Sequence, residues 1–415
     1  MAVTEQDKAW DKAIKAGDKS FHQGQYGEAE VQYQKALQIA ESFSKDDPRL
    51  LVSLNHLADL YRVQGWYAEA EPLYRRVLGM VEKTAGAEHA NLAAVLCNLA
   101  GNFRAQGIYN EVEPLYRRAL AIYEKAKPPD HLEVANCLHS LADFYRVQGK
   151  YSQAEPLFRR ALQLRENTLG PHHSSVAQSL IQLALLHRSQ GRHSQAQQLQ
   201  ERAVRIIEQH MGPEHPSLAN ELANLAELHR LQGNWQESEQ LHKRALAMRE
   251  QALGAEHPSV SSSMSQLALL YHTQGKFEEA EKYYKKLVAR REKDWGAEHP
   301  YVAEALNNLA LLYEDEGMYV EAEPLYWKAL SIVEKSLGPE HPDVAKRLTS
   351  LAGLYTEQGK FQEAERLYQW ALGILEKTLG PENPEMAATL KKYASMQEKL
   401  RSRSEAAKTD ILWQG

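Results

Sequence analysis

The chain has 415 residues, 43% of them hydrophobic and 25% charged, enough apolar surface for a packed core. A formal net charge of -6 leaves no global basic field to gather nucleic acid or anionic lipid. Two cysteines cannot staple a disulfide scaffold and suit a reducing compartment. No stretch approaches the roughly 18 to 20 apolar residues that span a bilayer, and the start at Met1 lacks the apolar segment of a signal peptide. The expectation is a soluble, cytoplasmic protein.

Aligned with itself, the chain repeats every 42 residues. The first unit, within 1–46, is one residue shorter and carries Gly24 at its turn. Eight full units follow over 47–382, with turn glycines at Gly65, Gly107, Gly149, Gly191, Gly233, Gly275, Gly317 and Gly359. These units are expected to form one solenoid. Residues 383–400 repeat only the first half of a unit and read as a capping helix, followed by a polar, frayed tail to 415 in which Ile411, Leu412 and Trp413 could dock.

Within a unit the apolar residues fall at helical spacing. Leu348, Leu351, Ala352 and Tyr355 lie at i, i+3, i+4 and i+7 on one face, and after Gly359 a second face carries Ala364, Leu367, Tyr368, Ala371 and Leu372. Each unit is therefore an antiparallel helical hairpin whose apolar face is buried by stacking on its neighbours. The alanines let the two helices approach closely. At the junctions, Gly170, Gly254, Gly338 and Gly380 are placed as left-handed caps. A histidine then precedes the next helix as N-cap, with proline commonly first in the helix. Lys127-Pro128-Pro129 breaks this junction pattern and predicts a local change of superhelix angle.

The pattern Leu-x-x-Leu-Ala-x-x-Tyr, then Ala-x-x-x-Tyr-x-x-Ala, resembles the tetratricopeptide repeat (TPR). The long unit, with Leu337-Gly-Pro-Glu-His-Pro-Asp-Val-Ala345 at a junction and Leu306-Asn-Asn-Leu-Ala-Leu-Leu-Tyr313 in a first helix, is similar to the kinesin-light-chain class. The resemblance spans about nine-tenths of the chain. It implies an all-α, right-handed superhelical solenoid whose first helices line a concave, peptide-binding groove. True kinesin light chains carry a heptad coiled coil before their repeats. None precedes residue 5 here, so the expectation is a relative of that class and not a true light chain.

That resemblance places the groove positions 13, 10, 9, 6, 3 and 2 residues before each turn glycine. Arg62, Arg104, Arg146, Arg188 and Arg230 recur three before it and would form a column able to fork onto carboxylates. Asp59, Asp143 and Glu227 lie three residues before Arg62, Arg146 and Arg230, so those three arginines can also pair along their own helices. Arg104 and Arg188, facing Gly101 and Leu185 at that spacing, carry the stronger expectation. Asn55, Asn98, Gln182, Asn224, Gln266, Asn307 and Asn308 would satisfy the main chain of an extended ligand, with Leu185 among the apolar spots for anchors. Toward the C-terminus, Lys346 stands against Glu304, Glu314, Asp315 and Glu357. The ligand is thus expected to be acidic along 47–256, with an aromatic or leucine anchor, and neutral or basic along 299–382.

The other chemical signals have plainer readings. Seven histidines one period apart fit N-caps better than a converging metal site, and His172-His173 with His187 or His193 is the only local cluster. Cys97 sits at a groove position, where a reactive thiol is the alternative, but an inert small side chain is the first reading of both cysteines. Glu71–Arg75, Glu113–Arg117, Glu155–Arg159, Glu239–Lys243 and Glu281–Lys285 read as ordinary surface pairs. No catalytic or phosphate-binding motif is present, and no metal or cofactor is implied. The reading is a non-enzymatic scaffold or adaptor that holds a peptide segment of a partner protein. The alternatives are a regulatory or sensor subunit acting on a separate catalytic protein and, lower, a binder of single-stranded RNA.

Overall fold

A computed structural model describes residues 4–413 except 85, 87, 127–129, 381 and 382, and side chains as far as 404 except that of 379. Among the described residues there are nineteen helices and no strand. The protein is an all-α solenoid of helical hairpins, and it divides into two compact units, Met1–His210 and Met211–Gly415.

The first unit stacks five hairpins. They are α1 (Glu5–His22) with α2 (Tyr26–Glu41), α3 (Pro48–Val63) with α4 (Tyr67–Thr84), α5 (Ala90–Gln106) with α6 (Tyr109–Lys125), α7 (His131–Val147) with α8 (Tyr151–Leu169), and α9 (Ser174–Ser189) with α10 (His193–Met211). The second holds α11 (Leu218–Leu231) with α12 (Trp235–Leu253), α13 (Pro258–Thr273) with α14 (Phe277–Trp295), α15 (Pro300–Asp315) with α16 (Tyr319–Leu337), α17 (Pro342–Glu357) with α18 (Phe361–Leu379), and α19 (Pro384–Trp413). Leu348, Leu351, Ala352, Tyr355, Ala364, Tyr368 and Ala371 are all buried, which is the apolar face read from the repeat. Ala352, Ala364 and Ala371 are wholly enclosed, so the helix crossing leaves no room for larger side chains there.

The hairpin turns need a left-handed residue, and Gly107 supplies it at φ 78°, ψ 10°. The junction glycines differ from the expected left-handed cap. Gly170 has φ 86° and ψ 158°, and Gly338 has φ 89° and ψ 155°. Their N–H groups still bond Glu166 O and Glu334 O at 3.0 Å, so the helical ladder reaches the glycine before ψ opens and carries the chain outward.

The junction histidines cap as expected. The Nδ1 atoms of His89, His173, His257, His299 and His341 accept from the backbone N–H two residues on, at 3.1–3.2 Å. Asp47 and Asn383 do the same at 2.9 and 2.8 Å. One repeat departs from this pattern. Asp130 replaces His131 as the cap of α7, accepting from Leu132 N–H and Glu133 N–H. At α11 His215 Nδ1 accepts from Ser217 N–H at 3.3 Å in the same way, although the helix itself begins only at Leu218.

Successive hairpins are stitched by a bond that repeat spacing alone does not show. A first-helix tyrosine donates to a glutamate of the preceding second helix: Tyr61 to Glu30 at 3.0 Å, Tyr271 to Glu239 at 2.9 Å, Tyr313 to Glu281 at 2.5 Å and Tyr355 to Glu323 at 2.8 Å. Glu239 and Glu281 also hold Lys243 and Lys285 at 2.7 Å. These carboxylates are therefore inter-repeat acceptors as well as members of surface pairs.

α19 is longer than the repeat predicts, running to Trp413 instead of ending near 400. Residues 401–413 lack glycine and proline and contain good helix formers, so nothing local breaks the helix. The altered angle expected at Lys127-Pro128-Pro129, and the docking of Ile411, Leu412 and Trp413, lie outside the described residues and side chains.

Candidate ligand-binding face of the first helices

In the first unit the arginine column is present, but it is mostly neutralised. Arg62 Nη2 lies 3.7 Å from Asp59, whose Oδ1 also accepts from Tyr74 Oη at 2.5 Å. Arg146 Nη2 meets Asp143 Oδ1 at 2.6 Å, as its spacing implied. Arg104 corrects the sequence reading. It lacks a partner on its own helix, but its Nη1 reaches across to Asp143 Oδ2 on α7 at 2.6 Å. Burial would raise the Asp143 carboxyl, but hydrogen bonds from Arg146 and Arg104 overcome this and hold it below the usual carboxylate range. Arg188 is half-buried and has no ion-pair partner among the described residues.

Groove-register residues of α5 and α7 enclose a cavity of about 500 Å³. Ala94, Cys97, Asn98, Gly101, Arg104 and Ala105 line it from α5, and Asn136, Cys137 and Ser140 line it from α7. Gly101 helps to keep it open. A Cβ there would come no nearer than 3.9 Å to its closest neighbour, Tyr116 Oη. Asn98 and Arg104, two of the expected ligand-binding residues, thus converge on one space. Arg62 also borders it, whereas Asn55, Arg146, Gln182 and Leu185 do not. The last two are half-buried on α9, and the Oδ1 of Asn55 is buried without a hydrogen-bond partner.

In the second unit Arg230 forks onto Glu227, with both bonds at 2.7 Å, and Asn224 donates to Glu221 Oε2 at 3.3 Å. Gln266, with Ser262 and Ser265, lines a cavity of about 550 Å³ beside Arg291, Trp295 and Glu304. The side-chain oxygens of Gln266 and Asn307 are buried without hydrogen-bond partners. Asn307 is only 9% exposed, more enclosed than a ligand-facing amide was expected to be, and Asn308 beside it is half-buried. The acidic residues of this unit also have partners that counting along the groove positions alone had missed. Glu304 holds Arg291 at 2.9 Å, Asp315 holds His272 at 2.8 Å and Glu357 holds Lys399 at 2.7 Å. Glu314 accepts from Tyr326 Oη at 2.6 Å, and burial raises its carboxyl above the usual range.

Two buried arginines escaped the sequence reading because they sit on second helices. Arg165 and Arg249 occupy equivalent positions two repeats apart and donate to Asn136 Oδ1 at 2.9 Å and Asn220 Oδ1 at 2.7 Å. Their exact recurrence in register was the available signal. They commit the first groove amide of α7 and of α11 to structure. The histidine cluster is similarly occupied: His173 caps α9, and His187 is enclosed 3.8 Å from Glu155. Among the described residues no helix is long and apolar enough to cross a membrane.

The elements define a repeat protein whose first helices carry amides and arginines in register and border a cavity in each compact unit. The tetratricopeptide repeat family model matches residues 13–83, 49–125, 129–209, 216–293 and 301–377. The chain belongs to the tetratricopeptide repeat family. No curated protein matches it. Among solved structures it is similar to a putative kinesin light chain of Podosopora anserina with nearly identical TPR-like repeats, at 31% identity over 50% of this chain and 97% of that one, with a TM-score of 0.45. RapI in its apo form aligns at 14% identity over 89% of this chain and 98% of that one, with a TM-score of 0.65. The quorum sensor NprR from B. thuringiensis aligns at 13% identity over the same shares, with a TM-score of 0.57. At 14% and 13% identity, RapI and NprR share the fold alone with this chain.

Proposed function

We propose that this is a non-enzymatic adaptor whose first-helix face holds an extended, acidic segment of a partner protein, with an aromatic or leucine side chain as its anchor. The observation that carries the reading is the cavity between α5 and α7, because groove-register positions form so much of its lining. Asn55, Asn98, Gln182, Asn224, Gln266, Asn307 and Asn308 supply main-chain contacts in this reading, the buried ones after an amide rotation. Leu185 supplies an apolar contact. Of the arginines, Arg188 offers an uncommitted charge. Arg62, Arg104, Arg146 and Arg230 contribute by sharing their carboxylates' hydrogen bonds with a ligand. A repeat array binds through many small contacts, so affinity is modest and distributed. The division into 1–46, 47–382 and 383–415, and a cytoplasmic setting, belong to the same reading.

The test is fluorescence polarisation with labelled extended peptides, acidic and basic, each with a central leucine or tryptophan. Acidic peptides should bind the wild type, weaken as salt rises, and weaken by roughly tenfold in Arg188→Glu, equivalent to about 1.4 kcal/mol. Equal binding of acidic and basic peptides, with no response to salt, would refute the proposal. An adaptor and a regulator both need this face. They differ in whether occupancy changes the activity of the protein that supplies the segment.

A further inference from the structure

The two cysteines are 40 positions apart in sequence, and neither has a neighbouring cysteine to suggest a redox motif. The fold brings both to the α5–α7 cavity. Cys97 stands ten residues before the turn glycine of its hairpin, and Cys137 twelve before that of the next. An equivalent pair elsewhere in the repeat shows what this spacing does. Thr349, ten before Gly359, meets Thr389 of α19 across the same 40-residue offset with 3.4 Å between hydroxyl oxygens. Both thiols line that one cavity, and Tyr116 and Tyr123 of α6 close it beside them.

The environments of the two differ in a useful way. Cys137 is 2% exposed and donates from Sγ to Tyr116 O at 3.4 Å. Cys97 is half-buried on the cavity wall, so a small oxidant entering from solvent meets it first. The neighbouring Cys97, and then burial, push the Cys137 thiol up and keep it protonated while both sulfurs are reduced.

We propose that Cys97 and Cys137 form a reversible dithiol–disulfide site within the cavity, with Cys97 as the sulfur attacked by a peroxide and Cys137 as the resolving thiol. In the first step the Cys97 thiolate attacks one peroxide oxygen and the O–O bond breaks. Cys97 becomes a sulfenic acid and, after protonation, one water leaves from hydrogen peroxide. The Cys137 proton, which rests against Tyr116 O, is the one released next. In the second step Cys137 gives up that proton and its sulfur attacks Cys97 Sγ, displacing the hydroxyl as a second water. Two thiols and one hydrogen peroxide thus become one disulfide and two waters, with two electrons passing from sulfur to oxygen. An exogenous dithiol reverses the cross-link by thiol–disulfide exchange. In a reducing compartment such a bond is a transient sensor and not a structural staple. It joins two successive first helices whether or not a peptide ever occupies the face.

The test uses the full wild-type chain. It is exposed to hydrogen peroxide near stoichiometry, denatured, alkylated with N-ethylmaleimide and analysed by intact mass and peptide mapping. The expected result is joint loss of both alkylatable thiols, a mass lower by two hydrogens, a crosslinked peptide containing Cys97 and Cys137, and recovery of both thiols with dithiothreitol. In Cys137→Ser, Cys97 should stop at sulfenic acid, trapped by dimedone. Over-oxidation of Cys97 in the wild type with Cys137 still alkylatable would overturn the proposal. So would two thiols that both remain fully alkylatable after treatment.

Discussion

At the scale of single residues, the buried imidazole of His242 makes the most direct prediction. It is 2% exposed on α12, at the position filled by Tyr74, Phe158 and Tyr284 in other repeats. Burial lowers its pKa from 6.5 to about 4, against the opposing field of Glu227. The fold therefore favours the neutral ring. Its contribution to stability is fully present above pH 6.5 and is lost as pH falls toward 4, because the unfolded state takes up the proton first. At about 1.4 kcal/mol per pKa unit, the full effect is on the order of 3 kcal/mol. His139, lowered to about 4 mainly by burial and then by Arg165, adds to the same trend. Thermal melts from pH 7 to pH 4 should show His242→Phe losing less stability on acidification than the wild type. Identical pH slopes would show that His242 does not carry the effect. The 42-residue register already puts His242 at the Tyr368 position on an apolar face, but only the packing shows how completely the ring is enclosed.

The arginine column teaches the same lesson. The pairs of Arg62, Arg146 and Arg230 were legible because each partner sits three residues away on one helix. The partner of Arg104 was not, because Asp143 lies 39 positions on and meets it only after two hairpins stack. Asp143 was visible as a partner for Arg146 alone, yet it serves both guanidiniums. Whether a ligand can use Arg104 depends on how readily Asp143 releases it.

At the scale of elements, helix starts were read well because capping is local chemistry. A side-chain acceptor two residues before an N–H can be recognised without knowing the fold, which is why Asp47, Asn383 and the histidines fell into one class. The misread cap at His131 arose because Asp130, one residue earlier, is the better acceptor and displaced it. This predicts a simple exchange at α13, where His257 Nδ1 accepts from Ser259 N–H at 3.2 Å. His257→Ala should cost about 1 kcal/mol in urea denaturation, and His257→Asp should retain most of that stability while also suiting the helix dipole. Two equally destabilised variants would mean that the imidazole matters for packing and not as a cap.

At the scale of the whole molecule, the repeat period made the all-α solenoid legible, since a 42-residue unit with two helical faces has few other ways to bury them. The period was silent on where regularity stops. α19 begins as a first helix and buries Met396, while Tyr393 donates to Glu365 Oε1 at 2.8 Å and lies tilted against Tyr368 with ring centroids 5.7 Å apart. These contacts cover apolar surface of α17 and α18 that would otherwise face water. Each large apolar side chain so covered contributes about 1.5–3 kcal/mol. A chain ending at residue 383 should therefore lose more than its own share of helix. Its Tm should fall by roughly 5 °C or more, on a scale of about 2–4 °C per kcal/mol for a unit of this size, and it should aggregate with rising concentration. Circular dichroism melts and light scattering of the truncated and full chains decide the matter. An unchanged Tm with monodisperse scattering would show that α17 and α18 are stable without their cover, and that stability in this array is held within each hairpin instead of between neighbours.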